Sequence, residues 1–243
     1  MLLHGLMGQM HHWDPTLDVL AEGARALAPM LPLFERSWTD LSIQALARWV
    51  VDFLDALDLG LAVVGGNSLG GHVALATALL APERVAGLVL TGSSGLFERG
   101  FTRGVPHRPT AAYVRERMEE IFYDSSLVTP EWVDAVQTSV LEPATALRLL
   151  RVARAARRDN VEARLRDINV PTLLVWGRED RITPLAVAER FHDLIRGSEL
   201  VVLNRCGHAP MLEHPEAFGA IVRAWLEETP MGSGRRVPIG GAR

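Results

Sequence analysis

Cysteine is almost missing from these 243 residues: Cys206 stands alone, so the chain can form no internal disulfide and suits a reducing compartment. Aromatic residues are few, at 6 %, and the formal net charge is only −4, so the chain lacks the electrostatic footprint of a partner for nucleic acid or for an anionic membrane. No stretch approaches the roughly twenty uncharged apolar residues of a membrane helix. The opening Met1-Leu2-Leu3-His4-Gly5 also lacks a basic region followed by an apolar run and a cleavage site. These absences predict a cytoplasmic protein whose partner is a small molecule, with self-association left open. Metal-ligand spacing is missing too. His11 and His12 are adjacent and, in a strand, would face opposite sides; His107, His192 and His214 have no partner at ligand spacing, and His72 reads as a packed helix residue. No metal and no cofactor are expected.

What is present is apolar sequence, 48 % of a chain long enough for one large domain with a sizeable core. Short β-branched and leucine runs at 61–64, 85–90, 171–176 and 199–203 suit strands buried on both faces. Helical stripes alternate with them at 42–57, 71–80, 184–194 and 215–226. The alternation predicts an α/β fold with a doubly wound, mostly parallel sheet. Residues 93–167 break it: rich in Arg, Glu and Ala, they offer helices at 111–122, 130–141, 144–157 and 161–167, and read as a helical cap inserted between core segments 1–92 and 168–228. The Gly-, Pro- and Arg-containing stretch 229–243 reads as a disordered tail.

Gly66-Asn67-Ser68-Leu69-Gly70 lies between a predicted strand and a predicted helix. That is the context of a nucleophile elbow, in which glycines allow a sharp turn that leaves the serine hydroxyl exposed at the sheet's carboxyl edge. A serine needs a base, and the base an orienting acid. Asp180 and His208 follow in that order, each just past a predicted strand, where such sheets gather their sites. Glu179 is the competing acid, with a solvated loop charge as its alternative role. The N–H groups of Leu69, at the helix start, and of Leu6, in His4-Gly5-Leu6-Met7-Gly8, are placed to receive an oxyanion; alternatively His4-Gly5 is a tight turn with a buried histidine. Cys206 reads as a small buried hydrophobe.

Over nearly its whole length the chain resembles the α/β-hydrolases, and most of all the branch holding the meta-cleavage product hydrolases. The shared residues are Gly66-Asn67-Ser68-Leu69-Gly70-Gly71, Phe122-Tyr123-Asp124-Ser125-Ser126-Leu127-Val128-Thr129, Trp176-Gly177-Arg178-Glu179-Asp180-Arg181 and Arg205-Cys206-Gly207-His208. The resemblance implies a serine hydrolase with a Ser68–His208–Asp180 triad. It also places Asn67 and Val136 at the substrate pocket. Three departures separate the chain from that branch: Leu6-Met7-Gly8-Gln9 follows His4-Gly5, Ala209 follows His208, and Val136 stands where a cap arginine would grip a dienoate carboxylate. Arg148 and Arg151 are the candidate substitutes. An ester substrate is therefore expected, with carbon–carbon hydrolysis or an inactive ligand-binding homologue as alternatives. Only Met1, Leu2 and Leu3 precede His4, so the chain reads as truncated or reduced by two strands, leaving a strand near 24–28 at the sheet edge.

Overall fold

A computed structural model describes residues 1–35, 37–97 and 108–230; the expected tail from 231 onward, His107 and part of the inserted segment lie outside them. Five parallel strands form one sheet in the order β1 (Leu2–Leu3), β2 (Ala62–Asn67), β3 (Val85–Thr91), β4 (Thr172–Gly177), β5 (Ser198–Leu203). The strands are continuous apolar runs because both faces are covered. Leu3, Val64, Leu88, Leu90, Leu174 and Trp176 face one cluster, while Leu2, Val89, Leu173 and Val175 face another. That alternation is the two-residue period of a pleated strand.

Helices α1 (Asp14–Leu20), α2 (Ile43–Ala56) and α3 (Leu69–Leu80) sit in the first half of the chain. Inserted between β3 and β4 are α4 (Ala111–Glu119), α5 (Pro130–Leu141) and α6 (Pro143–Arg158), and α7 (Leu185–Leu194), α8 (Pro210–Glu213) and α9 (Pro215–Glu228) complete the chain. Side-chain caps start several of them: Ser42 Oγ accepts from Ala45, Thr110 from Tyr113, and Thr129 from Trp132, each satisfying an amide the helix leaves unpaired. The stripes of α2, α3 and α7 share one cluster, whereas α1 and α9 bury theirs in the other. The inserted helices divide between the two. Val152 and Ala156 of α6 join the α2–α3–α7 side, and Val114, Met118 and Val133 of α4 and α5 join the α1–α9 side.

Three expectations need correction. Residues 24–28 form no strand; they run beside β1 with a single backbone bond, Leu2 N–H to Leu27 O at 2.7 Å. A two-residue β1 that already pairs with β2 offers no longer ladder. His11 and His12 lie in the 3₁₀ helix Met10–Trp13 rather than a strand, with His12 buried against Trp132 and His11 exposed. Residues Glu162–Asp167 are 3₁₀ rather than α-helical.

Candidate active site

The elbow follows from its glycines. A Cβ on Gly70 would collide with the carbonyl of Leu3, so only glycine lets α3 start against the end of β1. Ser68, at φ 55° and ψ −116°, holds a backbone conformation that L-residues avoid. Its N–H donates to Thr91 O at 3.1 Å, and its own carbonyl accepts from Ser94 at 3.2 Å and His72 at 3.1 Å, so surrounding bonds hold the strained turn.

Asp180 and His208 meet as expected. Asp180 Oδ2 lies 2.9 Å from His208 Nδ1, and both residues are buried. Asp180 Oδ1 accepts from the N–H groups of Ile182 and Thr183 at 2.8 and 2.9 Å, and Oδ2 also accepts from Thr183 Oγ1 at 2.8 Å. Backbone donors and a hydroxyl thus fix the carboxylate, which holds the proton on Nδ1 and turns the lone pair of Nε2 toward the far side of the ring. Glu179 has a different partner: its Oε2 accepts from Cys206 N–H at 3.0 Å, clipping the loop before His208 to the loop after β4. Thr183 is a contributor that sequence reasoning missed. Ile182, two residues after Asp180, closes an Asx-type turn, and a hydroxyl residue one position further on was the available signal.

Asn67 and the glycine after β3 bring the serine and histidine segments together. Asn67 Nδ2 donates to His208 O at 2.9 Å and to Thr91 O at 3.2 Å, and a Cβ on Gly92 would lie 2.8 Å from His208 Nδ1. Both amide protons of Asn67 are therefore committed to backbone carbonyls, so this side chain, expected at the substrate pocket, ties the strand end to the histidine loop.

Beside the elbow, Gly8 N–H donates to Gly5 O at 3.0 Å, closing a tight turn with Leu6 and Met7 at its centre. A Cβ on Gly5 would stand 3.4 Å from Ser68 Cβ, so this turn abuts the serine. Among the described residues, no hydrogen bond takes the N–H of Leu6 or that of Leu69, the first residue of α3. Both amides are thus uncommitted within the described residues, as the free N–H groups at a helix start are. His4 shapes the turn: one ring nitrogen lies 2.7 Å from Gly5 O while the other accepts from Leu31 N–H at 3.0 Å, and burial lowers its pKa, keeping it neutral.

In the inserted helices, Val136 packs at the edge of the apolar cluster with Trp132 and Val140. Arg148 bonds to backbone: its Nε donates to Leu33 O at 2.5 Å, and an NH2 group donates to Trp38 O at 2.8 Å. Arg151 is exposed. His72 is wholly buried, as expected of a packed helix residue, and its Nε2 lies 3.3 Å from Asp159 at the end of α6. Cys206 is buried as expected, and burial pushes its thiol pKa far above the ordinary range. No group of histidine, cysteine and acidic side chains that could hold a metal is found among the described residues, and no helix there is long and apolar enough to cross a membrane.

The fold has counterparts. Residues 1–215 match a family profile described as the alpha/beta hydrolase fold. The chain is similar to a 2-hydroxymuconate semialdehyde hydrolase of Pseudomonas sp. (strain CF600), 31 % identical over 94 % of this chain and 86 % of that protein. Among solved structures it superposes on a meta-cleavage product hydrolase from Pseudomonas fluorescens IP01, with TM-score 0.80, 26 % identity, and coverage of 93 % of this chain and 89 % of that one. A thermophilic esterase from Thermogutta terrifontis gives TM-score 0.74 and 26 % identity, covering 93 % and 88 %.

Proposed function

This chain belongs to the alpha/beta hydrolase family, and we propose that it is a serine hydrolase that cleaves a small, uncharged carboxylic ester through an acyl-enzyme. The observation that carries the reading is the buried Asp180–His208 bond together with a serine held at positive φ at the N-cap of α3. His208 takes the Ser68 proton as the hydroxyl attacks the carbonyl carbon, and Asp180 stabilises the imidazolium. The Leu6 and Leu69 amides, with the start of α3 behind them, receive the oxyanion. The alcohol leaves with the proton from His208, and water then releases the acid by the same steps. The chemistry requires no cofactor.

The ester preference rests on two side chains of the inserted segment. Val136 puts an apolar group at the position where the resemblance expects the cation that a dienoate carboxylate needs, and Arg148 is spent on the backbone carbonyls of Leu33 and Trp38. The inserted helices rest on both sides of the sheet, α6 on one cluster and α4–α5 on the other, an arrangement that supports their acting as a roof above Ser68. Carbon–carbon hydrolysis of a ring-fission dienoate is the second reading, favoured by the similarity to the 2-hydroxymuconate semialdehyde hydrolase. Turnover of p-nitrophenyl butyrate beside that of a dienoate, with stoichiometric fluorophosphonate labelling of Ser68, tests both. Faster dienoate turnover selects the second reading, and absence of labelling overturns the two together.

A further inference from the structure

The loop that carries His208 is gripped by the inserted segment as well as by the sheet. His208 N–H donates to the carbonyl of Ile121 at 2.7 Å, just after α4. Glu213, the last residue of α8, then binds both segments with one carboxylate: Oε1 accepts from Gly207 N–H at 2.6 Å, and Oε2 from Tyr123 N–H at 2.6 Å and more weakly from Asp124 N–H at 3.4 Å. The approach is close enough to demand glycine at 207, where a Cβ would lie 2.5 Å from Ile121 O and 2.9 Å from Tyr123 N. The other charged or titratable groups nearby are the Cys206 thiol, 3.8 Å from Oε1, the Glu179 carboxylate on Cys206 N–H, Arg205 over the Tyr123 ring, His214, whose ring bonds Arg205 O, and Asp124, whose carboxylate accepts from Ser126 N–H; Asp180 faces the His208 ring itself. Hydrogen bonds to an ionised acceptor are shorter and stronger than neutral ones, so a carboxylate divided between two segments fixes their separation.

We propose that Glu213 is a positioning residue that locks the cap junction 121–124 to the His208 loop, so that the base stands in register with Ser68 and Asp180 only while that junction is seated. The proposal rests on the serine-hydrolase reading for its catalytic consequence, although its structural part can be measured alone. Without the clamp the ring samples orientations in which its bond to Asp180 is lost, and misplacement of a reacting group by about 1 Å costs on the order of 100-fold in rate.

Glu213→Gln keeps the side chain's size but sets an NH2 group against one of the backbone donors. Gly207→Ala disturbs the same junction without changing any charge. For both, kcat and KM for p-nitrophenyl butyrate are measured per fluorophosphonate-titrated site. The His208 imidazole titration is followed by NMR, with the resonance assigned from His208→Gln. A fall of about 10- to 100-fold in kcat with KM within about threefold is expected in each. The His208 midpoint should move down, because a ring that loses Asp180 or a neighbouring negative charge favours its neutral form. Wild-type kcat per titrated site with an unmoved midpoint, even in a protein that melts earlier, makes Glu213 a fold staple and overturns the proposal. Should Glu213→Gln not fold, Gly207→Ala decides by the same two readouts. A wild-type protein that neither labels nor hydrolyses the ester defeats the serine-hydrolase reading, whereas the NMR midpoint still judges the clamp.

Discussion

At the residue scale the site turns on which of two adjacent carboxylates meets the histidine. Asp180 does so because the turn through Thr183 points three donors at it, while Glu179 is drawn to Cys206 N–H. Asp180→Asn should therefore lower ester hydrolysis by about 10⁴-fold through the wrong imidazole tautomer, and Ser68→Ala by several orders of magnitude, both in folded protein. Glu179→Gln should leave kcat within a few-fold and cost about 1–2 kcal/mol of stability, measured by urea unfolding. The reverse pattern, an inert Asp180→Asn and a dead Glu179→Gln, would hand the acid role to Glu179.

At the scale of elements, the inserted helices are held by side chains that reach distant segments. Arg148 of α6 ties the 32–38 segment and Asp159 meets His72 of α3, while His12 contacts Trp132 of α5 at a ring separation of 5.5 Å. Arg148→Gln should cost about 2 kcal/mol of stability by losing bonds from a charged donor, with no change in the KM ratio of anionic to neutral esters. A tenfold rise in KM confined to carboxylate-bearing substrates would instead make Arg148 an anchor and revive carbon–carbon hydrolysis. Val136→Trp should reorder the preference for acyl chain length, since one methylene in an apolar pocket is worth about 1–3 kcal/mol. A profile identical to wild type in folded protein would place that part of the cap away from the substrate.

For the whole molecule, buried histidines shape the response to acid. Burial, reinforced by His11 and His4, lowers the pKa of His12 to about 4, and burial lowers that of His4 as well. The unfolded chain, with histidines near their ordinary 6.5, binds protons that the folded state refuses. Stability should thus be full above about pH 6.5 and decline as pH falls toward 4. Asp159 carries a lowered pKa from its bond to His72, so its contribution is lost only at lower pH, below the ordinary carboxylate range. Urea midpoints at pH 7.5 and 5 should differ less in His12→Gln than in wild type. Equal differences in the two proteins would remove His12 from the account.

The sequence by itself determined the main elements and pointed to the candidate reacting groups. Buried parallel strands must be continuous apolar runs, helices on a core must carry stripes, and acyl transfer to a serine needs a base and an acid at strand ends. Ser68, Asp180 and His208 were therefore legible from type, order and flanking pattern, and the helices of the insertion from periodicity within a few residues. Tertiary structure alone decided the rest, because its determinants lie between segments far apart in the chain. It left 24–28 without a ladder for want of a longer neighbour, turned Asn67 onto the carbonyl of His208, and spent Arg148 on the 32–38 backbone. It also set Glu213 between the histidine loop and the cap. A backbone amide acts only through its position, and a lone glutamate carries no periodic signal, so no local pattern announces such a pairing before the chain folds.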